Sequence, residues 1–132
     1  LLLCHPHSRI YTIILDTTIS RGEIWRVNLS PTKGAEIRKT RPCVVISSDD
    51  IGKLPLKVVV PITGWNPGYK KAIWFVRLDP NSRNGLEKVS GADAFQVRSV
   101  AVDRFVDKLG VVSAEELEDI VAAVGIVIEI GF

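Results

Sequence analysis

The sequence predicts a mainly β domain, a small and strongly bent barrel-like antiparallel sheet, with one C-terminal α-helix packed against it. Three observations predict it. Short runs rich in Val, Ile, Phe and Trp recur between Gly22 and Val112, as expected for consecutive strands. Clusters such as SPTKG, GWNPG and NSRNG separate them with turn chemistry. The hydrophobic period then changes once, at Ser113, from that of a strand to that of a helix.

The chain has 132 residues, room for one domain with a single core. Residues 1–20 read as an N-terminal extension, with an optional edge strand at Tyr11–Leu15, and residues 21–132 as the domain. GEIWRVNL from Gly22 alternates Ile24, Arg26 and Asn28 with Trp25, Val27 and Leu29, a half-buried strand. Pro42 to Ser47 is a short, continuous apolar run bounded by Pro and by SSDD, the pattern of a core strand. LKVVVPIT from Leu56 and AIWFVRL from Ala72 repeat the theme, and DAFQVRSV and RFVDKLGVV supply two more strands, five or six in all. Trp25 and Trp74 fall in strand patterns and are assigned to the core. Ser113 with Glu116 forms a capping box, after which Leu117, Ile120, Val121, Val124 and Ile128 recur at helical spacing.

The net charge of +2 conceals a segregation. Arg21 to Lys108 holds sixteen basic and nine acidic residues, whereas Leu109 to Phe132 holds five acidic and no basic ones. Such a body favours polyanions or an acidic protein partner, although a solvated mixed surface has the same composition. The densest cationic cluster, Lys33, Arg38, Lys39 and Arg41, lies immediately before the apolar run. The first twenty residues contain neither an apolar stretch of membrane length nor the order of a secretory signal. A cytoplasmic address is therefore expected. The sequence has no methionine, as in a processed chain or a fragment. Its two cysteines, Cys4 and Cys43, give no disulfide framework.

Several chemistries are excluded from the body of the chain. His5 and His7 are the only histidines, so the domain has no imidazole base, no Ser–His pair and no His/Cys zinc set. No glycine-rich phosphate loop appears. No metal or cofactor is expected. Cations and hydroxyls at strand ends remain. Pro42 biases Arg41 to an extended conformation and launches the strand, while Thr63 ends the next strand just before Gly64. If the two strands are neighbours, both side chains reach one concave spot. On residue type alone, Arg41 reads as a surface ion-pair residue, Thr63 as a strand-end cap and Glu36 as a counter-charge for the basic loop. Trp65, in a polar loop, is the tryptophan best placed to stack on bases.

The segment RGEIWRVNLSPTKGAEIRKTRPCVVISSDD, followed by VVVPIT and FQVRSV, resembles the ordered signature of the MazF/PemK (Kid) toxins of bacterial toxin–antitoxin systems. The resemblance covers about Arg21 to Phe132. It implies a homodimeric, SH3-like barrel and a metal-independent endoribonuclease that cleaves single-stranded RNA at short sequences and is neutralised by an acidic antitoxin. The positions matching the catalytic residues are Arg41 and Thr63. Glu36, Gln96 and Arg98 match positions in or near the RNA site, beside the basic Arg38 and Lys39. Relatives with an acid before the motif glutamine, or a histidine before the motif glutamate, have Phe95 and Ala35 as their counterparts here, so the Arg/Thr arrangement fits better. The same fold also hosts a gyrase-binding toxin that is not an enzyme. That lineage relies on a Trp-Gly-Ile end, whereas this sequence ends Ile130-Gly131-Phe132 and keeps Arg41-Pro42. A catalytically inactive binding member is the remaining alternative.

Overall fold

The computed structural model describes residues 19–131; Cys4, the histidines and the optional strand at Tyr11–Leu15 lie outside them. Seven strands are followed by one helix: β1 (Glu23–Asn28), β2 (Thr40–Val45), β3 (Leu56–Gly64), β4 (Phe75–Leu78), β5 (Ser90–Asp93), β6 (Arg98–Ala101), β7 (Phe105–Val111) and α1 (Ala114–Val127). All pairings are antiparallel. The strand order is β4-β5-β3-β2-β1-β7, with β6 also on β3.

The nine-residue β3 organises the sheet. Its first half, Leu56 to Val59, pairs with β6, and its last three residues, Ile62 to Gly64, pair with β5. Two strands thus lie end to end beside β3. The sheet divides there into a larger and a smaller part, and Pro61, which has no N–H to give a ladder, stands at the division.

The strand path is not closed, so the expected barrel is an open coiled sheet with β4 and β7 at its ends. Two irregularities in the β1–β7 register, at Ile24/Trp25 and Arg26/Val27, increase the local twist. The loop before β5 covers β7 in place of a further strand: Val111 N donates to Arg83 O at 3.0 Å. This approach requires glycine at two points. A Cβ on Gly110 would lie 2.2 Å from Arg83 O, and one on Gly85, whose φ is +66°, 2.2 Å from Leu109 O.

Both faces of the central strands are buried. Ile24, Val44, Val60, Ile62, Leu78 and Ile120 form the core under α1. Ile19, Val27, Leu29, Cys43, Val45, Val59, Val100 and Val102 form a second core on the other face. One core was expected. Because β2 sends Val44 to the first and Cys43 and Val45 to the second, its apolar run is continuous, as a strand covered on both faces requires. Burial pushes the Cys43 thiol up to about 12, with the Arg98 charge opposing.

The capping box is present: Glu116 N donates to Ser113 Oγ at 3.0 Å and Ser113 N to Glu116 Oε1 at 2.8 Å. The buried helix face differs from the expected stripe. Ile120 and Ala123 are buried and Leu117 and Val124 pack against the core, but Val121 is 37% and Ile128 58% exposed. Ile128 follows the last helical residue, where the chain turns away and Glu129 adopts φ 57°.

DAFQVRSV is not one strand. Asp93 accepts a hydrogen bond from Phe95 N at 3.1 Å and caps a 3₁₀ turn over Ala94–Gln96, which separates β5 from β6. Trp74 precedes β4 instead of lying in it, because the 3₁₀ turn Pro67–Lys71 ends on Ala72 and Phe75 N donates back to Ala72 O. Trp25 and Trp74 are half-buried.

Candidate active site

The β2–β3 ladder fixes the relation between the two strand-end residues. Its register is Cys43↔Pro61, Val44↔Val60 and Val45↔Val59, and Ile46 N donates to Val58 O at 2.9 Å. Hydrogen-bonding positions alternate in an antiparallel ladder, so those that turn their backbone groups to the facing strand are Ile46/Val58, where Val58 N instead donates to Ser47 Oγ at 3.1 Å, then Val44/Val60 and, next, Pro42/Ile62. Pro42 has no N–H to donate, and the ladder stops there. Continued beyond its last pair, the same register would bring Arg41 level with Thr63 on the face that carries Cys43 and Pro61. The observed pairs of these two residues are with other strands, Arg41 with Val27 and Thr63 with Gly91. Arg41 is exposed and Thr63 half-buried.

The loop between β1 and β2 carries the cations. Lys33, Arg38 and Lys39 are exposed, and Lys39 has φ 68°. Side chains and backbone tie this loop down. Lys39 N donates to Ser30 Oγ at 2.9 Å, and Leu29 N to Lys39 O at 2.9 Å. Glu36 accepts from Lys33 N at 2.6 Å, so part of its carboxylate organises the loop. Arg41 Nε donates to Arg38 O at 3.3 Å. Arg104 Nη1 bonds the carbonyls of Asn28 and Ser30 at 3.1 and 2.6 Å.

Beside this loop lies a cleft of about 360 Å³ lined by Ala35, Glu36, Ile37, Pro61, Phe95, Gln96, Val97 and Arg98. It gathers three of the sequence-predicted residues, Glu36, Gln96 and Arg98. Arg41 and Thr63 are not in its lining, but Pro61 is, and Thr63 is the next residue on the same face of β3, about 7 Å further on. Arg98 Nη1 donates to Leu29 O at 3.2 Å. The Gln96 amide faces the loop: Ile37 N donates to its Oε1 at 2.6 Å and its Nε2 donates to Ala35 O at 3.1 Å. Asp93, 7% exposed, sits behind it. Burial pushes its carboxyl above the usual carboxylate range, against the opposing effect of the Phe95 N–H and the Gln96 amide.

Trp65 stands apart. It lines a second cleft, of about 630 Å³, with Pro67, Tyr69, Lys70, Ala72, Ile73, Phe75 and Arg77. The Arg77 guanidinium lies 5.8 Å from the centre of its ring, and a Cβ on Gly91 would sit 3.1 Å from it. The ring is also edge-on to Tyr69. Sequence reasoning passed over Phe95 as a site residue. It is 62% exposed, at the rim of the first cleft. Its signal was its position, one residue before the motif glutamine. Among the described residues no group of three His, Cys, Asp or Glu side chains could hold a metal ion.

The fold and the site define a small β domain: an open antiparallel sheet with a C-terminal helix and a cationic loop beside a cleft. The chain belongs to the PemK-like, MazF-like toxin family of type II toxin–antitoxin systems, whose model matches residues 20–128. It is 37% identical over 103 residues to the endoribonuclease MazF9 of Mycobacterium tuberculosis, covering 74% of this chain and 85% of that one. It is 30% identical over 107 residues to the endoribonuclease MazF of Staphylococcus saprophyticus, covering 80% and 88%. In fold it is similar to the crystal structure of MazF from Deinococcus radiodurans, with a TM-score of 0.71, 24% identity and coverage of 85% and 97%. It is also similar to a mycobacterial endoribonuclease solved with its cognate antitoxin, with a TM-score of 0.69, 17% identity and coverage of 87% and 99%.

Proposed function

We propose that the chain is an endoribonuclease toxin that cleaves single-stranded RNA, with Arg41 and Thr63 as its catalytic residues. The observation that carries the reading is the β2–β3 register, whose last pair is Cys43↔Pro61 and which, continued past Pro42, would bring Arg41 level with Thr63. The endoribonuclease relatives and the antitoxin-bound structural neighbour support it.

The chemistry suits a site of cations and hydroxyls. The ribose 2′-oxygen attacks its own adjacent phosphorus, so the nucleophile comes with the substrate and alignment replaces a protein nucleophile. As the 2′-oxygen loses its proton and bonds to phosphorus, the P–O5′ bond breaks and the 5′-oxygen takes up a proton. Arg41 supplies a forked cation to the phosphoryl oxygens and Thr63 a neutral donor. The products are a 2′,3′-cyclic phosphate and a 5′-hydroxyl, and no step requires a metal or another cofactor. A free guanidinium stays protonated at neutral pH, so Arg41 serves as charge stabiliser and not as base. Arg38 and Lys39 hold the RNA backbone, while Glu36, Gln96 and Arg98 border the cleft beside it. Trp65 offers its edge to a base further along the strand.

The partner that neutralises the toxin is an acidic antitoxin whose initially disordered segment covers the basic loop, and the working unit is a homodimer. No described helix is long and apolar enough to cross a membrane; we place the protein in the cytoplasm with its RNA. The test incubates the purified protein with a long single-stranded RNA in excess chelator and maps the product ends. Fragments with 2′,3′-cyclic phosphate ends support the reading. Intact RNA, accompanied by inhibition of DNA gyrase, would establish the gyrase-binding alternative.

A further inference from the structure

We propose that Gln96 is a positioning residue for Arg41, acting through the β1–β2 loop. This rests on the reading of Arg41 above. The argument follows one chain of contacts. The primary amide of Gln96 meets the backbone as a neighbouring strand would, accepting from Ile37 N at 2.6 Å and donating from Nε2 to Ala35 O at 3.1 Å. The partners are a donor and an acceptor in fixed order, so only one orientation of the amide satisfies both. These bonds join residues 59 and 61 positions apart in the sequence. They fasten the cationic loop to the turn between β5 and β6.

The residue after Ile37 is Arg38, and its carbonyl oxygen accepts the Arg41 Nε–H at 3.3 Å. Displacing the loop backbone at Ala35 and Ile37 therefore moves the acceptor that orients the Arg41 guanidinium. On the other side, Asp93 is buried in the turn and accepts from Phe95 N at 3.1 Å, which holds the turn that carries Gln96. The run Gln96, loop backbone, Arg38 carbonyl, Arg41 is continuous. Gln96 thus acts on the reaction without contacting the reacting atoms, since its acceptor oxygen and one N–H are committed to the loop.

The experiment is a double-mutant cycle on RNA cleavage under single-turnover conditions, using wild type, Gln96→Ala, Arg41→Ala and the double variant on one long single-stranded RNA. Coupled residues are non-additive. Gln96→Ala is expected to slow wild type by about tenfold or more but to slow the Arg41→Ala background by less than about threefold, since the group it positions is already gone. Binding of a fully 2′-O-methylated copy of the RNA, which cannot be cleaved, should weaken by much less than the rate falls. Gln96→Glu keeps the acceptor for Ile37 N but not the donor to Ala35 O. It should lie between wild type and Gln96→Ala, with a thermal midpoint close to wild type to show that the fold is intact. Equal losses in the two backgrounds, an altered set of cleavage sites in Gln96→Ala, or no loss while wild type cleaves would each overturn the proposal. Failure of wild type itself to cleave RNA would sink the functional reading instead.

Discussion

Cys43 and Pro61 face each other across β2 and β3, and the same register, continued two residues further, would bring Arg41 level with Thr63. A slip of one residue would turn one of them to the other face. The register is secured from both sides, because Val44 and Val60 fill the core under α1 while Cys43, Val45 and Val59 fill the second. The residues of β2 that fill the two cores therefore also set the register on which the proposed site depends.

Thr63→Val retains the shape of the side chain and removes its donor. Cleavage should slow by about tenfold or more, the scale of losing a hydrogen bond to a charged group, while the thermal midpoint stays near wild type. Single-turnover cleavage beside a melting curve checks both halves.

Asn84 is fully buried and organises the loop that covers β7. Its Oδ1 accepts from Asn81 N and Leu86 N at 3.1 and 3.0 Å, and its Nδ2 donates to Asp79 O at 2.8 Å. Asn84→Leu strands three backbone groups and is expected to cost about 2–4 kcal/mol in urea unfolding. Gly110→Ala drives a Cβ into Arg83 O on the same loop and should cost at least about 2 kcal/mol. A wild-type urea midpoint for either variant would show that this loop does not hold β7.

Asp93 makes a signed contribution to pH dependence. Burial raises its carboxyl above the usual range in the folded state, so the native state keeps a proton that the unfolded chain has lost. Stability from this group therefore falls as pH rises from the unfolded value, about 3.9, to the raised native one. Glu23 acts in the opposite sense. Burial alone would raise it, but Ser20 N–H, the Trp25 indole and Lys108 together hold it below its ordinary value, and its contribution is lost as pH falls through that lowered value. Asp93→Asn should remove the first slope and leave the second. Urea unfolding across this range, compared with wild type, measures the difference, and parallel curves would contradict it.

Most of the strands and the closing helix were legible because each is a local signal, the run from Asp93 to Val100 excepted, where a 3₁₀ turn separates two strands. Apolar runs, a capping box and an Arg-Pro step are read within a few residues. Five features were not, and each depends on a partner distant in sequence. That β2 is covered on both faces is visible as a continuous apolar run, but the existence of two cores is not. The open edge at β7 depends on a glycine-mediated approach between Arg83 and Gly110. Val121 and Ile128 match the helical period but lie outside the covered face, because β4 and the 3₁₀ turn at Ala94–Gln96 contact only one side of α1. Gln96 was legible as a motif residue, but its grip on Ala35 and Ile37 spans the molecule. Trp65 has loop chemistry in the sequence, yet Arg77 and Gly91 engage its ring.

The most direct test of the central claim is the single-turnover rate of RNA cleavage by Arg41→Ala in excess chelator, beside wild type and with a melting curve for each. Wild type should yield 2′,3′-cyclic phosphate ends, and Arg41→Ala should be slower by at least ~100-fold with its fold intact, the scale of losing one preorganised donor to a developing oxyanion. Cleavage by the variant at the wild-type rate would contradict the account.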